Sequence, residues 1–316
     1  MTRSRIRFAV TGVTGEVGRR VAEGLARLRA EQRLIARDPA RAPRMPGVEV
    51  ATVSGYSDAR AMGAALAGVE TLFLVSAHDI MGIRHRALMS GQPVPAYDRL
   101  HEHIAAVAAA AAVGVERIVY LSFVNPAPDA TFILGREHFH TEEHIRSSGL
   151  AFTFLRQNMY MDKVPQHVAR GDVIRAPAGD GRVAWVSRAD VAAAAVAVLT
   201  GTGHDGQTYD ITGPEALTMA ETAQRLAVAL GRDITYEAQS PHEARALRNT
   251  SRMEEMDAVR RERTGEGLTD EELEIWISHY VQIAGGQVGA VSDAVPLLSG
   301  RPAESLADYL AEHTAG

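Results

Sequence analysis

Glycines at 12, 15 and 18 stand where an apolar run, Phe8-Ala9-Val10, breaks and a helical pattern begins. That spacing permits a tight turn, close approach of backbone to a ligand, and close packing of helix on strand. The helix expected from about Glu16 to Arg29 would aim its open N–H groups and positive dipole end at a pyrophosphate. With a short buried strand before it, and Val21, Leu25 and Leu28 as an apolar stripe after it, the turn reads as a dinucleotide cradle. A second constellation is Arg37-Asp38-Pro39-Ala40-Arg41, which follows a strand expected at 33–36. In a doubly wound fold the end of the second strand faces the adenosine ribose, where an acid accepts from a 2′-hydroxyl and an arginine accommodates a 2′-phosphate. Arg37 takes that place with Arg41 near it, so NADPH is favoured over NADH. Asp38 before Pro39 has its own explanation as a helix N-cap. A third pattern, His140-Thr141-Glu142-Glu143-His144, fits the spacing of inverted zinc peptidases. It falls in a helix between two expected sheet strands, the wrong setting for such a site, and no metal is expected.

These groups need a scaffold, and the chain supplies one as alternating strand and helix. Strands are expected at 48–53, 71–75, 116–122 and 151–156, with helices from about 59 to 67, 98 to 113 and 135 to 147 between them. The run Thr71-Leu72-Phe73-Leu74-Val75 is apolar throughout, as a central parallel strand buried on both faces must be. Right-handed crossovers then place helices on both faces, giving an α/β, Rossmann-like doubly wound parallel sheet. Ser76 and Ala77 would lie at the carboxyl end of the fourth strand, where ligands sit. Residues 78–97 read as a long irregular loop that could cover a substrate.

After residue 156 the pattern changes. Residues 171–175 and 182–186 are expected to form a β-ribbon, 207–212 a further strand, and 218–230 an amphipathic helix. From about Pro241 the chain reads as mostly helical, with Thr269-Asp270-Glu271-Glu272 as a capping box ahead of Leu273, Trp276, Ile277, Tyr280 and Ala284 on one face. The expected division is a dinucleotide-binding core over 1–156, rejoined by strands from about 183–212, and a smaller, mostly helical substrate lobe over 157–316.

Composition narrows the function. No cysteine is present, which excludes disulfides, thiol nucleophiles and cysteine-based metal sites. A net charge of -6 with no basic stripe argues against nucleic-acid binding. No apolar run approaches the ~18–20 residues of a membrane span, and the start of the chain leads straight into the first strand, so a cytoplasmic location is expected. Lys163 is the only lysine.

The ordered blocks resemble the NmrA-like, atypical short-chain dehydrogenase/reductases, and within them the bacterial NAD(P)H:quinone oxidoreductases. The blocks are 11–18, 37–41, 68–76, 114–122, His138 with Thr141-Glu142, 148–156 and 187–192. The resemblance spans nearly the whole chain. It implies NADPH bound by Gly12, Thr14, Gly15, Glu16, Val17, Gly18 and Arg37, with Ser76, Ala77 and Ser122 at the strand ends. Phe123, Asn158 and Tyr160 would line a cleft for an aromatic, quinone or polyketide carbonyl substrate, and an oligomer is possible.

Two departures matter. Short-chain dehydrogenases use a Tyr-x-x-x-Lys pair, in which lysine lowers the phenol's pKa. None of the eight tyrosines here is followed four residues later by lysine. Glu143 also stands where the quinone reductases tend to carry lysine, and extra residues fall between Ser76 and His101. If the hydride acceptor yields a delocalised anion, a strong acid is less necessary. His138, resembling the family's histidine near the cofactor, is then the candidate proton donor. A non-catalytic NAD(P)-binding redox sensor is the alternative. His101 and His103, two apart on a helix, read as surface or loop-facing groups.

Overall fold

The computed structural model describes residues 6–76, 99–168, 172–247 and 269–314. Its centre is a seven-stranded parallel sheet. The strands are β1 (Ile6–Val10), β2 (Gln32–Ala36), β3 (Glu49–Thr52), β4 (Val69–Val75), β5 (Arg117–Phe123), β6 (Ala151–Gln157) and, after two shorter strands, β9 (Gln207–Ile211). Their spatial order is β3-β2-β1-β4-β5-β6-β9, so the direction of winding reverses between β1 and β4. In such sheets ligands bind outside the carboxyl ends of the strands at this reversal.

Both faces of the sheet are covered, which is why its central strands β1, β4 and β5 are mostly buried, while the edge strands β3 and β9 are more polar. On one face α1 (Glu16–Arg27) packs beside the helix Arg188–Thr200, and Val21, Leu25, Val191 and Val198 join Phe8, Val10 and Phe73 in one core. On the other, α2 (Ala59–Leu66), α3 (Arg99–Ala112) and α4 (Ile133–Ser147) close over Leu72, Leu74, Ile118 and Tyr120. The alanines of α3 let it lie close to the sheet. The same inward face carries His103, which is fully buried against Tyr120. The surface position expected for His103 is thus corrected: helix spacing relative to His101 says the two diverge, but not which of them points inward.

A third core unites Phe123, Met159, Trp185, Leu226, Tyr280 and Leu310 from the later part of the chain. The expected β-ribbon over 171–175 and 182–186 does not form. β7 (Val173–Ala176) instead pairs in parallel with β11 (Thr235–Ala238), and β8 (Arg182–Val183) pairs antiparallel with β10 (Leu217–Thr218). The cross-strand pair Arg175–Glu237, at 2.9 Å, fixes the first of these registers. The capping box at Thr269 and Glu272 is present. The helix it opens buries Leu273, Ile277, Tyr280 and Ile283, while Ala284 is exposed, so its inner stripe ends one residue earlier than expected.

Candidate cofactor and active site

At the carboxyl end of β1 the chain turns through Gly12 with φ +66°, a conformation costly for any residue with a Cβ. A Cβ there would also stand 2.8 Å from Cβ of Val75. Thr11 ties this end of β1 to β4: its hydroxyl donates to the Phe73 carbonyl at 3.1 Å and accepts from Val75 N at 2.8 Å. Gly18 brings α1 down on the turn, since a Cβ there would lie 2.4 Å from the Gly12 carbonyl oxygen. Gly15 differs from both. It is exposed, in extended backbone, and a Cβ would meet nothing closer than 3.4 Å. Two of the three glycines therefore shape the turn, and the middle one leaves its outer surface bare.

Gly15 is also the N-cap of α1 and supplies no side-chain hydrogen bond to the first turn. Several other helices carry a side-chain cap: Ser187 accepts from Asp190 N, and Thr218 and Thr269 form complete capping boxes, whereas the helix at Ile133 starts without one, as α1 does. At α1 the leading N–H groups and the dipole are left for an anion. Thr14 is half-buried and Glu16 exposed beside this end, whereas the side chains of Val13 and Val17 anchor the turn in the core.

Across β2, Arg37 is exposed at the strand's carboxyl end. A short 3-10 turn, Pro39–Arg41, follows, with Asp38 accepting from Ala40 N at 3.0 Å, the cap expected of that residue. Tyr56, after β3, donates to the Val75 carbonyl at 3.0 Å. Burial pushes its phenol up to about 12, with the Thr11 hydroxyl and the Arg37 charge opposing that rise. Tyr56 thereby ties the segment after β3 to the carboxyl end of β4. The sequence offered only its position after the third strand as a signal. Ser76 is half-buried at the end of β4. Ala77 and the 78–97 loop lie outside the described residues.

The remaining candidates face inward. His138 is buried between Arg99 and Tyr120. A guanidinium only donates, so His138 Nε2 accepts from Arg99 at 2.6 Å. That leaves Nδ1 to carry the proton and donate it to the Tyr120 hydroxyl at 2.8 Å. This geometry offers no proton to an external acceptor. Thr141 donates to the Glu137 carbonyl, so its oxygen accepts from His103 Nδ1 at 2.9 Å. Desolvation, aided by the Arg99 charge, holds His103 well below its ordinary pKa.

Ser122 is likewise buried, and its hydroxyl donates to Glu142 Oε1 at 2.7 Å. Arg156 reaches the same carboxylate through two nitrogens at 2.9 and 2.7 Å, and Arg146 adds a third at 3.1 Å. Glu142 therefore serves guanidiniums, and no cluster of three or more metal-binding side chains occurs among the described residues. Phe123 packs with Phe132 and His138 in the interior. Asn158 is buried too, with Nδ2 on the Val288 carbonyl at 2.9 Å and Oδ1 accepting from Met159 N. Ser122, Phe123 and Asn158, expected at the cofactor or the cleft, are thus buried at or just beyond the carboxyl ends of β5 and β6. Tyr160 is half-buried, with the Arg188 guanidinium 3.9 Å over its ring and burial pushing its phenol up to about 12.

Sheet order, reversal and an uncapped glycine turn define a Rossmann-type dinucleotide-binding protein. The chain belongs to the NAD(P)H-binding family, whose model matches residues 12–202. It is 36% identical over 309 residues, 96% of each chain, to the (4-alkanoyl-5-oxo-2,5-dihydrofuran-3-yl)methyl phosphate reductase of Streptomyces griseus. It is 29% identical over 310 residues, 97% of each, to the NAD(P)H azoreductase of Xenophilus azovorans. Among solved structures, the NADPH complex of the quinone oxidoreductase QOR2 of Escherichia coli is similar at a TM-score of 0.78 and 28% identity. That match covers 96% of this chain and 99% of that one. The resemblance to bacterial NAD(P)H:quinone oxidoreductases therefore holds across the chain.

Proposed function

We propose that this chain is an NADPH-dependent reductase of electron-poor conjugated acceptors: a quinone, an azo compound or an aromatic carbonyl. The observation that carries the reading is the α1 N-terminus, which is left uncapped beside a bare Gly15 while Arg37 stands at the ribose end. The relatives matched over nearly the whole chain, a phosphate reductase, an azoreductase and a quinone oxidoreductase, favour an enzyme over a redox sensor.

Bound NADPH would supply the hydride from its nicotinamide. The backbone N–H groups at Glu16–Gly18 would hold the pyrophosphate, and Arg37 the 2′-phosphate. Ser76 and Tyr160 would border the nicotinamide end. Because His138 is turned to Arg99 and Tyr120, we assign the proton to solvent rather than to that histidine. This is adequate when the product anion is delocalised over a quinone ring or across two nitrogens, and poor for an isolated ketone. The reading places the protein in a cytoplasm and leaves nucleic acid and membrane out of its reaction.

The test is reduced-nicotinamide consumption with a panel of quinones, azo dyes, conjugated aromatic ketones and isolated aliphatic ketones. Turnover is expected with the first three and not the last. Tight NADPH binding without turnover on any acceptor would turn the assignment to a sensor. Arg37→Ala should abolish any preference for NADPH over NADH, and an unchanged preference would remove Arg37 from the 2′-phosphate site.

A further inference from the structure

Most arginines that the structure describes near the sheet ends are neutralised by a carboxylate: Arg99 by Glu137, Arg156 by Glu142, Arg188 by Asp162, Arg301 by Asp190. Arg19 is an exception. It sits on α1 one turn beyond Gly15, its amide donating to the Gly15 carbonyl at 3.1 Å. Its guanidinium forms no ion pair among the described residues. Instead Nη2 donates to the main-chain carbonyl of Arg41 at 3.0 Å, linking two segments 22 residues apart in sequence.

Arg41 closes the 3-10 turn that begins at Asp38. Its own amide donates to the Asp38 carbonyl at 3.2 Å, and Ala42 N to the Pro39 carbonyl at 3.3 Å. The turn is therefore a small rigid unit with an exposed arginine at each end, Arg37 just before it and Arg41 at its close. The Arg19 bond joins this unit directly to α1. Arg19 thus spans the pyrophosphate end of the cradle and the loop that carries the ribose-end charge.

We infer that Arg19 is a positioning residue for cofactor choice: by holding the Arg41 carbonyl it fixes the 37–41 turn against α1, so that the turn's arginines meet a 2′-phosphate. The inference rests on the NADPH reading above. The role belongs to the hydrogen bond rather than to the charge. Glutamine, a neutral donor, should therefore keep part of it and alanine none.

The experiment is equilibrium titration of the apo full chain with NADPH, NADH and 2′,5′-ADP, read by calorimetry, so that no turnover is needed. Arg19→Ala should weaken NADPH and 2′,5′-ADP by about tenfold, the worth of one lost hydrogen bond to an ordered loop, and NADH by less than about twofold. Arg19→Gln should fall between wild type and Arg19→Ala. If Arg19→Gln is as weak as Arg19→Ala, the charge acts directly and the positioning role is overturned. If NADPH and NADH weaken equally, Arg19 supports only the glycine turn and the inference fails. A wild-type protein that binds NADPH no better than NADH would overturn the 2′-phosphate reading itself. That result is visible before any Arg19 variant is made.

Discussion

The glycine turn at the head of α1 and the inner face of α4 lie within one α/β core and treat polar groups in opposite ways. At the turn the helix cap is a bare glycine that supplies no side-chain hydrogen bond, and the Arg19 guanidinium donates to a main-chain carbonyl rather than to a carboxylate. Along α4 the buried stripe Leu134, Gly135, His138, Thr141, Glu142 and Ile145 includes three polar side chains, each closed on a partner from a neighbouring element. His138 joins α4 to Arg99 and Tyr120, Thr141 joins it to His103, and Glu142 joins it to β5 and β6 through Ser122 and Arg156. Open polar groups are free for a ligand, whereas mutually satisfied buried ones hold elements in place. The contrast separates the cofactor cradle from the scaffold.

The strongest break in that contrast is Glu142→Ala. The Glu142 side chain has 0% exposure, and its removal leaves Arg156, Arg146 and Ser122 around an empty site. A fully buried unpaired charge costs about 3–5 kcal/mol, and because Arg156 and Arg146 reach solvent and Arg146 keeps Glu143, the loss here falls at the low end, about 3 kcal/mol. Denaturant unfolding should show a midpoint lowered accordingly. A variant as stable as wild type would show that the α4 network carries little of the fold.

The next comparison lies inside the turn itself. Gly18→Ala forces a methyl into the Gly12 carbonyl, a backbone atom that cannot step aside, and should cost about 1–3 kcal/mol of stability, as overpacking does. Gly15→Ala should cost about 1 kcal/mol or less, since only the cap preference changes. Its methyl would instead stand over the surface where backbone meets phosphate, weakening NADPH by about tenfold in a binding titration. Equal effects of the two substitutions on stability and affinity would erase the division of labour among the glycines.

How much of this could be read from residue order depends on which signal each feature leaves. Strand and helix alternation, the Gly12–Gly18 turn, the Asp38 cap and the Thr269 capping box are local, and each has a short-range pattern. The partners of β7 and β8 are not local: Val173–Ala176 pairs with a strand some sixty residues away, so nearness in sequence suggested a ribbon that does not exist. The same limit applies to side-chain direction. Ser122, Phe123 and Asn158 stand at the strand ends where ligands bind, but only the packed structure shows that they turn inward. Arg19 was missed because a donor to a main-chain carbonyl leaves no residue-type signature at its partner.

The smallest effect tests the closed half of the comparison through pH. His103 is buried neutral, and its pKa in the folded chain lies well below the ordinary value because of desolvation and the nearby Arg99 charge. The unfolded chain therefore binds a proton that the folded chain refuses once pH falls below the ordinary histidine value of about 6.5. Stability is retained above that value and declines as pH falls through it toward the lower folded pKa. The loss from this one residue down to pH 5.5 is bounded by the unfolded chain's own proton uptake, at most about 1.4 kcal/mol. His103→Gln can still donate to Thr141 but cannot titrate, so the difference in stability between variant and wild type should change by up to that amount between pH 7.5 and pH 5.5. Parallel stability curves across that window would mean that His103 takes up its proton in the fold, and that the network around Tyr120 is open rather than closed.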